Sequence, residues 1–300
     1  MPAPAPSIAT ITDDPALGRE QHWVSNSYLR AWRDPSTPQG AYFWVSPKDQ
    51  SSPPIMQSPK RTFVLADAYT MRKDNLRNLG LENMYHRFET QFGSLKARMT
   101  RGEMLTDDDH ETIVAFVAAH LIRTPKFRSK LRFQEMGDHR EELASIDDPV
   151  LRNGVEKTLS YIVVNEYQII SFHTFTKAME MIGALRMTLL LADDSQYFIT
   201  SDAPCCVIQC RDEEASLFEA LASPTSNVLM PLSSKVLAVF DHSNRPHEMI
   251  ALCPNQPRVH EMNAIIWRGA DQKIVLPHST IEGEWFADQI DNKLAGFVVL

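Results

Sequence analysis

Glycine is the first shortage. Eleven glycines in 300 residues leave little material for loops that cradle phosphate groups. Neither G-x-G-x-x-G nor G-x-x-x-x-G-K-[ST] occurs, so the patterns of Rossmann and P-loop nucleotide sites are missing. Cysteine is the second shortage. Cys205, Cys206, Cys210 and Cys253 match no paired C-x-x-C zinc spacing. A thiol content this low fits a reducing cytoplasm and buried free thiols on strands. Only distant Arg211 stands near enough in sequence to activate Cys205 or Cys206. Long apolar runs are absent too. Ile113–Ile122 is about half the length that a spanning helix needs and contains His120, so no membrane partner is expected. The first 20 residues lack the basic start and apolar stretch of a signal peptide, and they read as a disordered tail. Positive charge is short as well. A net charge of −8 argues against a surface given over to nucleic acid. One basic run breaks that rule: Arg123, Lys126, Arg128, Lys130 and Arg132, with no acid between Ile122 and Gln134. It reads either as a solvated helix face or as a contact for nucleic-acid backbone.

What remains is apolar enough, at 43% hydrophobic residues, to bury a substantial core. "QHWVSNSYLRAW" (21–32) predicts a short helix from Ser25 or Asn26. "AYFWVSPKD" and "TFVLADAYTMR" read as an antiparallel strand pair split by the proline loop "SSPPIMQSP". From Leu76 the period becomes helical, with a stripe of Leu81, Met84, Tyr85, Phe88, Phe92 and Leu95. Thr106 caps the next helix ahead of three aspartates, and Pro125 ends or kinks it. A third helical stretch, 150–183, has the most continuous apolar middle and is expected to be the most deeply buried. Strands then dominate. "LRMTLLLADDSQYFITS" reads as a hairpin turning at 193–196. "CCVIQC", "NVLMPLSS", "KVLAVFD" and "KIVLP" continue the sheet, interrupted by the helix "QPRVHEMNAIIWRGA" and followed by a terminal helix, "EGEWFADQIDNKL". The order predicts an α+β fold: an N-terminal β-hairpin, a central block of three long helices, and a mostly antiparallel C-terminal sheet with one inserted helix. One domain is expected over residues 21–300, with a helical lobe at about 75–184 and a sheet lobe at about 185–300.

Several polar residues stand in odd places. Ser201 and Asp202 close an apolar strand in "YFITSDAP". Either they cap the following turn or they face a cleft. His22 precedes the first aromatic cluster and could act as acid, base or ligand. Glu82, His86 and Glu89 share one helix face, which suits a solvated surface or a divalent metal. His120 and Arg123 project from the apolar side of their helix. A buried guanidinium there needs an acceptor: Asp202, Glu89 or a substrate anion. Asn263, three residues after His260, sits on a mostly apolar helix surface, where an amide bonds backbone or orients a substrate. There is no G-x-S-x-G elbow and no H-E-x-x-H.

In "QHWVSNSYLRAW", "FET" (88–90), "AAHLIRTPKFR", "FITSDAP", "MPLSSKVLAVF" and "MNAIIW" the chain resembles the family catalogued as domain of unknown function 4238. The resemblance picks out His22, Arg123, Ser201, Asp202, Pro231–Ser233 and Asn263 together. It departs at His120, where many relatives are expected to carry glutamine. The expectation is an intracellular, cytoplasmic hydrolase of phosphodiester or other anionic substrates. His22, Asp202 and Glu89 would act in acid-base chemistry or hold a divalent cation, with Arg123, Ser201 and Asn263 on the substrate. Its partner would be a small anionic substrate or nucleic acid. Two rival expectations stand beside it. One is a non-catalytic binding or sensor protein with a buried Arg123–Asp202 ion pair. The other is a carboxylate-histidine iron protein using Glu82, His86, Glu166 and His173.

Overall fold

The computed structural model describes residues 11–12, 20–73, 76–101, 103–130, 145–210, 216–243, 249–252, 254–280 and 297–299. Its largest sheet joins β8 (Arg186–Leu191), β10 (Cys206–Cys210), β11 (Asn227–Ser233), β12 (Val236–Asp241), β13 (Met249–Leu252) and β15 (Phe297–Val299), in the order β13-β8-β12-β11-β10-β15. Every pairing is antiparallel except β13 with β8. The two-residue strand period sorts its side chains between two cores. Met187, Leu189, Val207, Val228, Met230, Val236, Ala238 and Phe240 enter one core. Leu190, Cys206, Ile208, Leu229 and Leu237 enter the other. A sheet covered on both faces explains why these strands read as nearly unbroken apolar runs.

Helices cover the first face. The short α1 (Asn26–Leu29) precedes α2 (Gly80–Thr100), α3 (Asp107–Ile122) and α4 (Pro125–Lys130). Thr106 caps α3 as expected, and Asp109 completes a capping box with it. Pro125 opens α4 just past the end of α3, where its missing N–H leaves no broken helix bond. The region 150–183 is two helices, α5 (Pro149–Val164) and α6 (Glu166–Gly183). The break falls at Asn165, whose amide donates to the Arg72 and Tyr161 carbonyls at 2.8 Å each. Among the described residues α3 is buried throughout from Ile113 to Ile122, while in the apolar middle of 150–183 the side chains of 159, 160, 162–164 and 166 lie outside the described residues. Helix α3 is apolar around its whole circumference, while most of 151–158 in α5 faces water. Further on, α7 (Leu217–Ala222) covers part of the first core, and α8 (Gln256–Gly269) packs on the opposite face of the sheet.

A second sheet runs β4 (Ile55–Gln57), β3 (Phe43–Pro47), β14 (Lys273–Leu276), β9 (Thr200–Ser201). The N-terminal hairpin is β3–β4, so the returning strand begins immediately after Pro53-Pro54. "TFVLADAYTMR" is divided between β5 (Val64–Ala66), which pairs with β2 (Glu20–His22), and β6 (Met71–Lys73). β6 pairs with β7 (Leu76–Asn78). Within the stretch expected to be a tail, Ile11–Thr12 form β1 against β7. The hairpin expected at 186–201 does not close. Past the turn at 193–196 the chain crosses to the second sheet, where β9 pairs with β14, while β12 and β13 flank β8. The expected terminal helix at 282–294 lies outside the described residues. The class is α+β. No helix among the described residues is long and apolar enough to cross a membrane.

Candidate functional site

The segment Gln21–Ser25 ties the early chain to three distant regions. Gln21, fully buried, donates to the Thr70 hydroxyl at 2.8 Å and accepts the Tyr69 amide at 2.6 Å. The His22 carbonyl accepts from Arg123. The Trp23 indole N–H donates to the Asp202 carbonyl at 3.2 Å. The Ser25 amide donates to His120 Nε2 at 3.3 Å. His22, Arg123 and Asp202 are therefore gathered along a stretch of two consecutive residues.

Arg123 ends α3 and turns into the first core, 3% exposed. One Nη donates to Glu89 Oε1 at 2.6 Å and the other to the His22 carbonyl. The guanidinium lies over the rings of Tyr85 and Tyr69, at 4.5 and 4.9 Å from their centroids. The Tyr69 hydroxyl donates to the Arg123 carbonyl at 2.7 Å. Of the acceptors weighed for this arginine, Glu89 is the partner. Burial works against its charge, but Glu89, Tyr69 and Glu82 more than offset that and hold it cationic. Burial likewise pushes the Glu89 carboxyl up, and the Arg123 charge and hydrogen bond reverse that, leaving it below the usual carboxylate range.

Glu82 is held differently. It sits seven residues before Glu89 on the same face of α2, with Tyr85 between. Burial raises its carboxyl, and the Arg123 charge offsets only part of that. Glu82 Oε2, the Tyr85 hydroxyl and Arg123 Nε are buried without a hydrogen-bond partner among the described residues. Such groups are uncommon in a folded core, and their clustering marks unused bonding capacity. Glu82, Glu89 and His22 are each partly exposed, so the cluster reaches the surface above its arginine floor. His22 Nε2 lies 3.2 Å from the Lys60 carbonyl. A carbonyl only accepts, so that nitrogen carries the proton and Nδ1 is left as a lone pair. Burial lowers the His22 pKa, and Glu89 and Arg123 are both within electrostatic reach.

His120 is fully buried beside this cluster. Its Nε2 accepts from Ser25, so its Nδ1 donates to the Phe116 carbonyl at 2.9 Å. Burial first, then the Arg123 charge, pushes it down to about 4, and it stays neutral. One donor and one acceptor at those positions is also what a glutamine amide offers.

The late residues are occupied by the fold. Asp202 Oδ1 accepts the Asp271 amide at 2.9 Å, and Oδ2 accepts those of Gln272 and Lys273 at 2.9 and 3.0 Å. Burial raises its carboxyl while the three amides oppose that rise. Ser201 Oγ accepts the Ala203 amide at 3.1 Å, the turn foreseen for that position. Asn263 accepts the Ile199 amide at 3.0 Å and donates to the Tyr197 carbonyl at 2.8 Å, bolting α8 to the strand edge.

The described arginines of the basic run point different ways. Arg123 points inward, while the Arg128 guanidinium lies 4.4 Å from the centre of the Tyr167 ring. Arg132 lies outside the described residues, as do Arg211 and Cys253. His86 and His173 are exposed. Among the described residues, no three His, Cys, Asp or Glu side chains gather in a way that could hold a metal ion. Glu89 is on Arg123 and Asp202 is on backbone amides, so neither is open to a cation, and the Glu166 side chain lies outside the described residues. Sequence reasoning placed Glu82 on a solvated face and left Tyr85 in the apolar stripe. The available signal was a carboxylate, a tyrosine and a second carboxylate at i, i+3 and i+7 on one helix.

Residues 20–279 match the model of the family described as Protein of unknown function (DUF4238). The chain belongs to that family. No curated protein and no solved structure matches it. The family match spans the hub at residues 21–25, the Arg123 cluster and the clamps made by Asp202 and Asn263.

Proposed function

We propose that the protein is a hydrolase of small anionic substrates whose chemistry lies at the Glu82–Glu89 face of α2. The observation that carries this reading is the trio of buried, unpartnered polar atoms on Glu82, Tyr85 and Arg123. Glu82 and Glu89 share a helix face but are pushed in opposite directions, one toward the acid form and one toward the carboxylate. The raised carboxyl suits an acid role, while the lowered one is held charged by Arg123. Glu82 serves as the proton donor to the leaving group. Neutral His22, through Nδ1, takes the proton of the attacking water. Arg123 holds Glu89 in place and offers its unused Nε–H to the substrate anion, with Tyr85 beside it. Asp202, Ser201 and Asn263 position backbone.

The test is turnover of bis(4-nitrophenyl) phosphate, a diester anion, and 4-nitrophenyl phosphate, a monoester anion, by purified protein. Glu82→Gln and His22→Gln are each expected to lower kcat by about 10²–10⁴. Turnover unchanged in both variants would remove the acid-base assignment. A second reading, a binding protein without catalysis, is favoured by one observation: Asp202, Ser201 and Asn263 are all engaged in holding backbone. Absence of turnover on both substrate classes would turn the choice toward it.

A further inference from the structure

A pocket of about 740 Å³ opens away from the Arg123 cluster, between the second sheet and the end of α8. Its floor follows from strand register. Val45 and Pro47 of β3 and Ile55 of β4 lie on one sheet face, with Val45 opposite Ile55. Trp267 and the turn Asp271–Lys273 form the facing wall.

That wall is unusually well fixed. Asp202 holds all three of its amides. From the other side, Lys48 Nζ donates to the carbonyls of Arg268 and Ala270 at 2.8 and 2.6 Å, and the Lys48 amide donates to the Gln272 carbonyl at 2.8 Å. Two charged side chains thus brace one turn, and a cavity whose walls are held this way is pre-formed. An ammonium has three N–H groups, and two are used here. Asp202, the nearest buried carboxylate, is taken up by amides. Asp49 bonds the Ser51 amide at 3.0 Å. Lys48, Arg268 and Lys273 therefore face the cavity against Asp49 and Asp271, above an apolar floor.

We infer that this pocket binds a small organic anion with an apolar body, its carboxylate or sulfonate on the third N–H of Lys48 and its body on Val45, Ile55 and Trp267. This site is independent of the proposed hydrolytic centre. A cavity of this size suits one small-molecule ligand. An anion there meets a half-desolvated ammonium, where attraction exceeds that in open water.

The experiment is a fluorescence titration of the folded protein with 8-anilinonaphthalene-1-sulfonate, an aromatic sulfonate, with octanoate as competitor. Saturable one-to-one binding displaced by octanoate is expected. Ile55→Glu places a like charge at the mouth from a residue that is 55% exposed, so the fold tolerates it. It should weaken binding at least tenfold with an unchanged Tm. Lys48→Met should weaken binding to a like degree with a lowered Tm, since its two carbonyl contacts are lost as well, and Lys48→Arg should restore most of the affinity. Should Lys48→Met fail to fold, Ile55→Glu decides. Binding that does not saturate, or equal affinity in the wild type and Ile55→Glu, would overturn the assignment.

Discussion

The Arg123 cluster and the Asp202 clamp are both buried, polar and anchored to residues 22–23, yet they differ in what they leave over. At the clamp, both carboxylate oxygens meet amides, and the Asn263 amide is likewise filled on both sides. At the cluster, Glu82, Tyr85 and Arg123 each retain a buried atom with no partner among the described residues. A group whose bonding capacity is filled by backbone stabilises the fold. A group held in place with capacity left over can meet a ligand. Burial and charge alone do not separate the two cases; the count of open valences does.

The largest effect is expected at the arginine. Arg123→Met leaves Glu89 buried beside the His22 carbonyl without its counter-charge. Removing one partner of a buried pair costs about 3–5 kcal/mol. Urea unfolding should show a loss of that size, and Arg123→Met combined with Glu89→Leu should recover much of it. A loss under about 1 kcal/mol would mean that the cluster contributes nothing to the fold, and the comparison would break at its first term.

Next comes the clamp itself. Asp202→Asn keeps one acceptor oxygen but turns an NH₂ toward at least one of the three amides. Hydrogen bonds to a charged group contribute about 1.5–3 kcal/mol, so a loss near 2 kcal/mol is expected, with turnover per folded molecule unchanged. An Asp202→Asn protein that melts like the wild type but loses kcat would place this carboxylate in the chemistry and overturn the division drawn above.

How much of this was legible beforehand depends on range. Thr106 with Asp109 and the stripe Leu81–Leu95 are local signals, and the helices they mark formed. The apolar runs 186–191 and 236–241 were readable as strands. Their partners were not, because period-two patterning says which face is buried and nothing about which strand lies alongside. The turn at Ser201 was visible within three residues. The role of Asp202 was not, since its amides lie about 70 positions further along. Glu82 was misplaced for a related reason. Its exposed i+4 histidine imitates a solvated pair, and only the tertiary approach of α3 with Arg123 shows that Glu82 is partly buried.

The third prediction concerns His120, whose ring lies next to Arg123 with both nitrogens filled. Its folded pKa is depressed to about 4 from an ordinary value of 6.5. The unfolded chain takes up the proton first, so its contribution is complete above about 6.5 and is lost as pH falls toward 4. One pH unit below 6.5, the wild type should be weaker by about 1.4 kcal/mol on this account. His120→Gln, with the same donor and acceptor in place, should lose that part of the pH dependence while keeping neutral-pH stability. Denaturant midpoints at several pH values would read the difference, and identical slopes would show that the ring is not held neutral by burial.

The smallest stability effect is the most informative, because it concerns the group with least reason to be there structurally. Glu82 has a raised carboxyl pKa. The folded state therefore prefers the proton, and above the unfolded value near 4.3 that preference counts against folding, increasingly so until the folded pKa is passed. Glu82→Gln removes the penalty without changing shape. Its folding stability should match the wild type at pH 4 and rise slightly above it at pH 7, by less than about 1 kcal/mol, while kcat falls by about 10²–10⁴. A residue that weakens the fold at working pH and is needed for turnover is held for chemistry. Equal destabilisation at both pH values would place Glu82 with Asp202 among the structural carboxylates and leave the Arg123 cluster without its proton donor.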